Sequence, residues 1–136
     1  MTLTSEAFAE FFTRMNPYPL RNGCRVVSAS PERSCAELTI DPTLHYNALG
    51  IVHGDVYLML ADYVAACAAN VDGEIRLSST GSYEMLASAR EGTLHAEAVL
   101  LRQTDRLAYH EVAIRDDAGK LLFHATMQSF RLDKKE

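Results

Sequence analysis

The sequence lacks most of the devices that announce a function outright. Its three cysteines, Cys24, Cys35 and Cys67, are scattered, odd in number and free of any CxxC or Cys/His zinc spacing. That excludes a disulfide framework and a zinc module, and points to free thiols in a reducing compartment. Basic residues are few: thirteen Lys and Arg against eighteen Asp and Glu give a net charge of -5. Such a balance argues against a general nucleic-acid binder, while leaving room for an anionic small ligand at a local basic cluster. The longest apolar run, 56–69, is too short to span a membrane and contains Asp62. The N-terminus shows no basic segment followed by an apolar stretch, so no signal peptide is expected and the expected location is cytoplasmic. No GxxxxGK[ST] or GxGxxG loop is present, and the segment Ser79-Thr80-Gly81-Ser82 falls short of a GxSxG nucleophile elbow. Repeats, low-complexity tracts and linkers are also missing, so residues 1–136 are expected to form a single domain.

What is present suits a soluble globular chain, with 48% hydrophobic and 23% charged residues. Residues 5–15 read as an amphipathic helix, capped by Thr4 or Ser5, with Phe8, Phe11 and Phe12 on one face. The Asn16-Pro17-Tyr18-Pro19 run ends it. Residues 25–29 and 34–40 read as strands; in the second, Ala36, Leu38 and Ile40 alternate with polar neighbours, the period of a half-buried strand. Asp41-Pro42 opens a loop over 43–52, and a long helix follows, closed at Asp72-Gly73. Four further strands are expected over 75–86, 93–102, 106–115 and 120–132, joined by short turns that favour antiparallel neighbours. At ~100° per residue, Val56, Leu60, Val64 and Cys67 of the long helix lie opposite Asp62. The helix is apolar nearly all round and is expected to be buried. An α+β architecture follows, with an antiparallel sheet curled around one long central helix.

Asp62 is the local inconsistency in that helix. A carboxylate in apolar surroundings must be paired, hydrogen-bonded or solvated by a cavity. It is either a satisfied core or interface aspartate, or a general base or nucleophile lining a pocket, with Ala65, Ala66 and Ala69 leaving room beside it. Gly54 sits where the helix presents unpaired N–H groups and its positive dipole end, suited to a developing oxyanion. His53 caps the helix or orients the loop. Asp55, in the first turn, is a dipole partner or a second carboxylate on the face of Asp62. His45, His53, Asp55 and Asp62 match no metal-site spacing, and no cofactor is implied.

The motif H-x-N-x-x-G-x-x-H-G, followed by an apolar helix with an acid nine residues after the second histidine, resembles the hotdog-fold acyl-CoA thioesterases. The nearest branch is the PaaI-like one of the phenylacetyl-CoA pathway. The motif residues are His45, Asn47, Gly50, His53, Gly54 and Asp62, and the resemblance extends over nearly the whole chain. The family's usual second glycine is Asp55 here, and its proline after the long strand is replaced near Ser88. The resemblance implies hydrolysis of an acyl- or aryl-CoA thioester to free acid and CoA. It implies Asp62 as nucleophile or general base, the Gly54 amide as carbonyl polariser, Asn47 as a positioner of water or carbonyl, and Ser78 as a hydroxyl close to the acid. Arg90, Arg102 and Arg106 are candidates for the CoA phosphates, and Asp55 for substrate contact.

Helix geometry adds a constraint of its own. Gly54 and Asp62 lie ~12 Å apart along one helix, too far to serve one carbonyl. A two-fold dimer with antiparallel central helices brings Gly54 of one copy to Asp62 of the other; the resemblance also implies a homodimer, often paired into a tetramer. The alternative function is an acyl-CoA-binding protein with little or no catalysis, motivated by Asp55. A hotdog-type hydratase is a third, weaker reading.

Overall fold

The structure is a computed structural model that describes residues 3–133. Helix α1, Ser5–Arg14, starts where the Thr4 hydroxyl accepts the Ala7 N–H at 3.1 Å, with Glu6 and Arg14 matched to the helix dipole at its two ends. Phe8 stacks on Phe12, and Phe12 meets Tyr63 of the long helix with its ring tilted. Phe11 points outward, 43% exposed, so only two of the three expected phenylalanines seat the helix. The proline run does end α1, yet it also begins a short helix, α2, Pro17–Arg21, with Pro17 at its first position, where a missing N–H costs nothing.

Strands β1, Cys24–Ser28, and β2, Arg33–Thr39, follow. The expected loop then contains a single helical turn, α3, Pro42–His45, capped by the Asp41 carboxylate. The long helix α4 spans Gly54–Asn70, and Gly73, at φ 93°, takes the left-handed turn that leads away from it. Strands β3 (Arg76–Met85), β4 (Thr93–Gln103), β5 (Leu107–Arg115) and β6 (Leu121–Arg131) complete the chain, each within two residues of its expected bounds.

All six strands join one antiparallel sheet in the order β1-β2-β4-β5-β6-β3. Helix α4 packs against one face and contacts every strand. Leu60, Ala61, Val64 and Cys67 are fully enclosed there against Leu38, Leu94, Ile114 and Phe123. The opposite side of α4 is not enclosed: Asp55 and Asp62 are exposed, and Leu58, Met59 and Ala66 are half-buried. The helix is buried as expected on its sheet side, with ten of its seventeen residues buried, but the Asp62 side is open. Apolar periodicity reports which residues avoid water, not whether their cover comes from the same chain.

Burial also separates the cysteines. The thiols of Cys24 and Cys67 are pushed up to about 12 by desolvation, whereas Cys35 is partly accessible on β2. Because the thiolate is the reactive form, native protein treated with a thiol reagent at neutral pH is expected to label one cysteine of three rapidly, at Cys35. Fast labelling of Cys67 would contradict this packing.

Candidate active site

The loop ahead of α4 is held from within. His45 is buried; its Nδ1 accepts the Asp41 N–H at 2.9 Å and its Nε2 donates to the Asn22 carbonyl at 2.7 Å. It is a loop-fixing residue with both ring nitrogens used. Asn47 also holds the loop, since its Oδ1 accepts the N–H groups of Leu49 (2.9 Å) and Ile51 (3.3 Å). Only its amide NH2 stays free for a ligand among the described residues. Tyr46 and Val52 bridge the two arms of this loop, which delivers the chain to His53 in extended conformation.

His53 caps α4, its Nδ1 accepting the Asp55 N–H at 3.3 Å while its carbonyl accepts the Val56 N–H at 3.0 Å. The Gly54 N–H has no hydrogen-bond partner among the described residues. It is thus the free donor at the positive end of the helix. A Cβ on Gly54 would stand 3.0 Å from Cε and 3.3 Å from Sδ of Met85 on β3, so glycine here keeps the approach to that N–H narrow but open. The Asp55 side chain is 82% exposed, where water and salt screen its charge from Gly54.

Two turns further along α4, Asp62 faces away from the chain's own core. The Ser78 hydroxyl donates to its Oδ1 at 2.6 Å. That bond fixes the carboxylate and leaves Oδ2 unbonded among the described residues. Ser78 is the second residue after Arg76, whose guanidinium is buried and donates to the Ala69 carbonyl at 2.5 Å and to Asp72 at 3.1 Å. Arg76 therefore ties the start of β3 to the C-terminal end of α4, where it also complements the dipole. The serine is placed against the aspartate by that anchor.

The expected residues fall into two groups. Asp62 and Ser78 are in contact, and Asn47, His53, Gly54 and Asp55 gather at the N-terminal end of α4. The two groups are separated along the helix. The candidate arginines do not converge. Arg90 lies beside the N-terminal group, its carbonyl accepting from the Tyr46 hydroxyl at 2.6 Å. Arg106 lies at the other end of the sheet, paired with Asp133 at 2.8 Å, and Arg102 sits on the exposed end of β4.

Three polar residues of this region escape a reading of the sequence: Arg76, His110 and Ser129 are all buried. A signal for His110 exists, since it occupies an inward position in the alternation Ala108, His110, Val112, Ile114 of β5. Burial, helped by nearby Arg76, lowers its pKa against the opposing pull of the Pro31 carbonyl, so the imidazole is neutral at pH 7.

Solved structures share the fold. The PaaI protein of the Escherichia coli phenylacetic acid degradation operon superposes with a TM-score of 0.86 at 19% identity, over 92% of this chain and 91% of that one. A thioesterase from Haemophilus influenzae gives 0.87 at 18% identity, over 100% and 95%. The chain has the hotdog fold. In sequence, the hotdog chain is 30% identical over 91 residues to a "Putative esterase" of Archaeoglobus fulgidus. That match takes in 66% of this chain and 59% of the relative's length. No family model matches the sequence. No helix among the described residues of this hotdog chain is long and apolar enough to cross a membrane.

Proposed function

We propose that this chain is an acyl-CoA thioesterase, a single-domain cytoplasmic hydrolase that converts an acyl- or aryl-CoA and water to the free acid and CoA. The observation that carries the reading is the pairing of a fixed carboxylate, Asp62 held by Ser78, with a free helix-end donor, the Gly54 N–H. In the reaction, Oδ2 of Asp62 either takes a proton from the attacking water or attacks the thioester carbon itself. The carbonyl oxygen gains negative charge and is stabilised by the Gly54 N–H. The C–S bond then breaks and the CoA sulfur leaves as thiolate. In the general-base route it receives the proton that Asp62 took from water. In the nucleophilic route it is protonated from solvent, while a water hydrolyses the acyl–Asp62 anhydride to the free acid and restores the carboxylate.

The two groups sit ~12 Å apart on one helix, so the site is completed by a second copy. Strand β3 supports this assembly. It is an edge of the sheet, paired with β6 alone among the described residues, and nine of its ten residues are exposed, among them Leu77, Tyr83 and Met85. An exposed edge with unpaired backbone groups is a template for another strand. Antiparallel pairing of two β3 edges joins the sheets, sets the α4 helices antiparallel, and places each Gly54 beside the partner's Asp62. The homodimer is the active unit, and pairing of dimers into a tetramer extends the same scheme. The free Asn47 amide and His53 flank the carbonyl donor, while Arg90 and Arg106 of different copies, with Asp55 at the rim, are the groups offered to the CoA moiety.

A panel of aryl- and fatty acyl-CoAs assayed for thiol release tests this reading. Turnover of at least one aryl or aliphatic member is expected. Tight stoichiometric acyl-CoA binding in calorimetry without thiol release would show a carrier instead, and hydration of an enoyl-CoA would show a hydratase.

A further inference from the structure

Behind the Ser78–Asp62 pair lies a small recess between α4 and the sheet. It has a volume of about 10 Å³ and is lined by Ala65, Ala66 and Ala69 on the helix side and by His110, Ser129 and Ser78 on the sheet side, with Arg76, Met127 and Gln128 around it. Two of these side chains are buried without a partner: Nε2 of His110 and Oγ of Ser129 have no hydrogen bond, and the residues are only 2% and 7% exposed. A buried polar atom left unsatisfied costs about 1–3 kcal/mol. Two at one cavity call for a common partner.

Strand register explains why they meet. Ser78 pairs directly with Ser129, and Ser129 with Ala108, so these three lie in one row across β3, β6 and β5. His110 is two residues further along β5, on the same face. The alanines of α4 keep that face from being filled. The space matches a single water, which needs roughly 10–15 Å³ and two to four polar partners.

We propose that this cavity is a built site for one water molecule, and that His110 and Ser129, acting through the water, position Ser78 and hence Asp62. The proton directions are consistent at every atom. The Pro31 carbonyl is the backbone acceptor that acts on the imidazole, and in the tautomer with its proton on Nδ1 the unpartnered Nε2 carries no hydrogen. Nε2 is then an acceptor. The water donates one hydrogen to His110 Nε2 and the other to Ser78 Oγ, and accepts the Ser129 hydroxyl hydrogen. Ser78, with its lone pair engaged, keeps its own hydrogen directed at Asp62 Oδ1. His110 and Ser129 are positioning residues, in contact with neither substrate nor thioester.

The inference rests on the thioesterase reading only for its kinetic consequence; the water itself is independent of it. High-resolution crystal structures of the wild type, His110→Phe and His110→Gln, with steady-state kinetics on each, decide the matter. Expected are a water within hydrogen-bond reach of His110 Nε2, Ser129 Oγ and Ser78 Oγ in the wild type, and its loss with a rotated Ser78 in His110→Phe. For that variant kcat should fall about tenfold with KM unchanged, as misplacement of a reacting group demands. His110→Gln, which retains an acceptor, should recover most of the rate. A dry cavity, or a Ser78–Asp62 bond unchanged in His110→Phe, overturns the inference whatever the activity. Equal kcat values for the Phe and Gln variants in a protein that does hydrolyse acyl-CoA overturn the positioning role. A wild type with the water but no hydrolysis overturns the thioesterase reading alone.

Discussion

Replacing Asp62 with Asn is expected to lower kcat for acyl-CoA hydrolysis by roughly 10² to 10⁴-fold, the range for loss of a positioned base. The substitution is nearly isosteric. The asparagine Oδ1 still accepts the Ser78 hydroxyl hydrogen that Asp62 accepts at 2.6 Å, so the side chain keeps its place. Its amide nitrogen, however, stands where the free Oδ2 stood and can neither take a proton from water nor attack a carbonyl. Asp62 is exposed in the single chain, so its replacement removes no core contact and stability should change by only about 0.5 kcal/mol. Because the lost interaction belongs to the transition state, kcat and kcat/KM should fall together. Thiol release followed under saturating substrate, beside a thermal melt, separates this outcome from simple unfolding. Full activity in Asp62→Asn would end the mechanism.

The second large effect concerns a backbone atom. Proline at position 54 removes the Gly54 N–H, which is free among the described residues, and should lower kcat by about 10² to 10³-fold, the cost of deleting an oxyanion donor. The local backbone accepts it. Position 54 is the first residue of the helix, where proline is favoured, and Gly54 is not among the residues with positive φ. His53, at φ -63° and ψ 140°, already has the conformation that a following proline requires. The added Cβ meets only the flexible tip of Met85. Gly54→Ala brings the same Cβ and keeps the N–H, so it serves as the steric control and should retain far more activity. Equal losses in the two variants would assign the effect to crowding by Met85 rather than to the lost donor.

Much of this architecture was legible in the sequence because its signals are local. Alternation in 34–40 and the short turns between the last four strands located strands closely, and the apolar seam of Leu60, Val64 and Cys67 identified the buried side of α4. Asp62 stood out as a charge among apolar neighbours. What was not legible depends on pairing across distance. His110 and Ser129 are unremarkable alone; only the register of β3, β6 and β5 puts them in one cavity behind Asp62. Asn47 looked like a ligand for the reaction, yet its carbonyl oxygen is used by the loop that carries it. The exposure of the Asp62 face was hidden for a related reason: an apolar helix reads the same whether a sheet or a second copy covers it.

The central claim is that each reaction site takes its carboxylate from one copy and its carbonyl donor from the other. Mixing Asp62→Asn with Gly54→Pro under conditions that exchange subunits tests it directly. In a two-fold heterodimer with shared sites, both lesions fall in one site and the other is intact. With random exchange, half of the dimers are mixed and half of their sites are whole, so thiol release should recover to about a quarter of the wild-type rate. If the two groups act within one chain, every site in the mixture carries a lesion, and the activity will stay at the level of the separate variants.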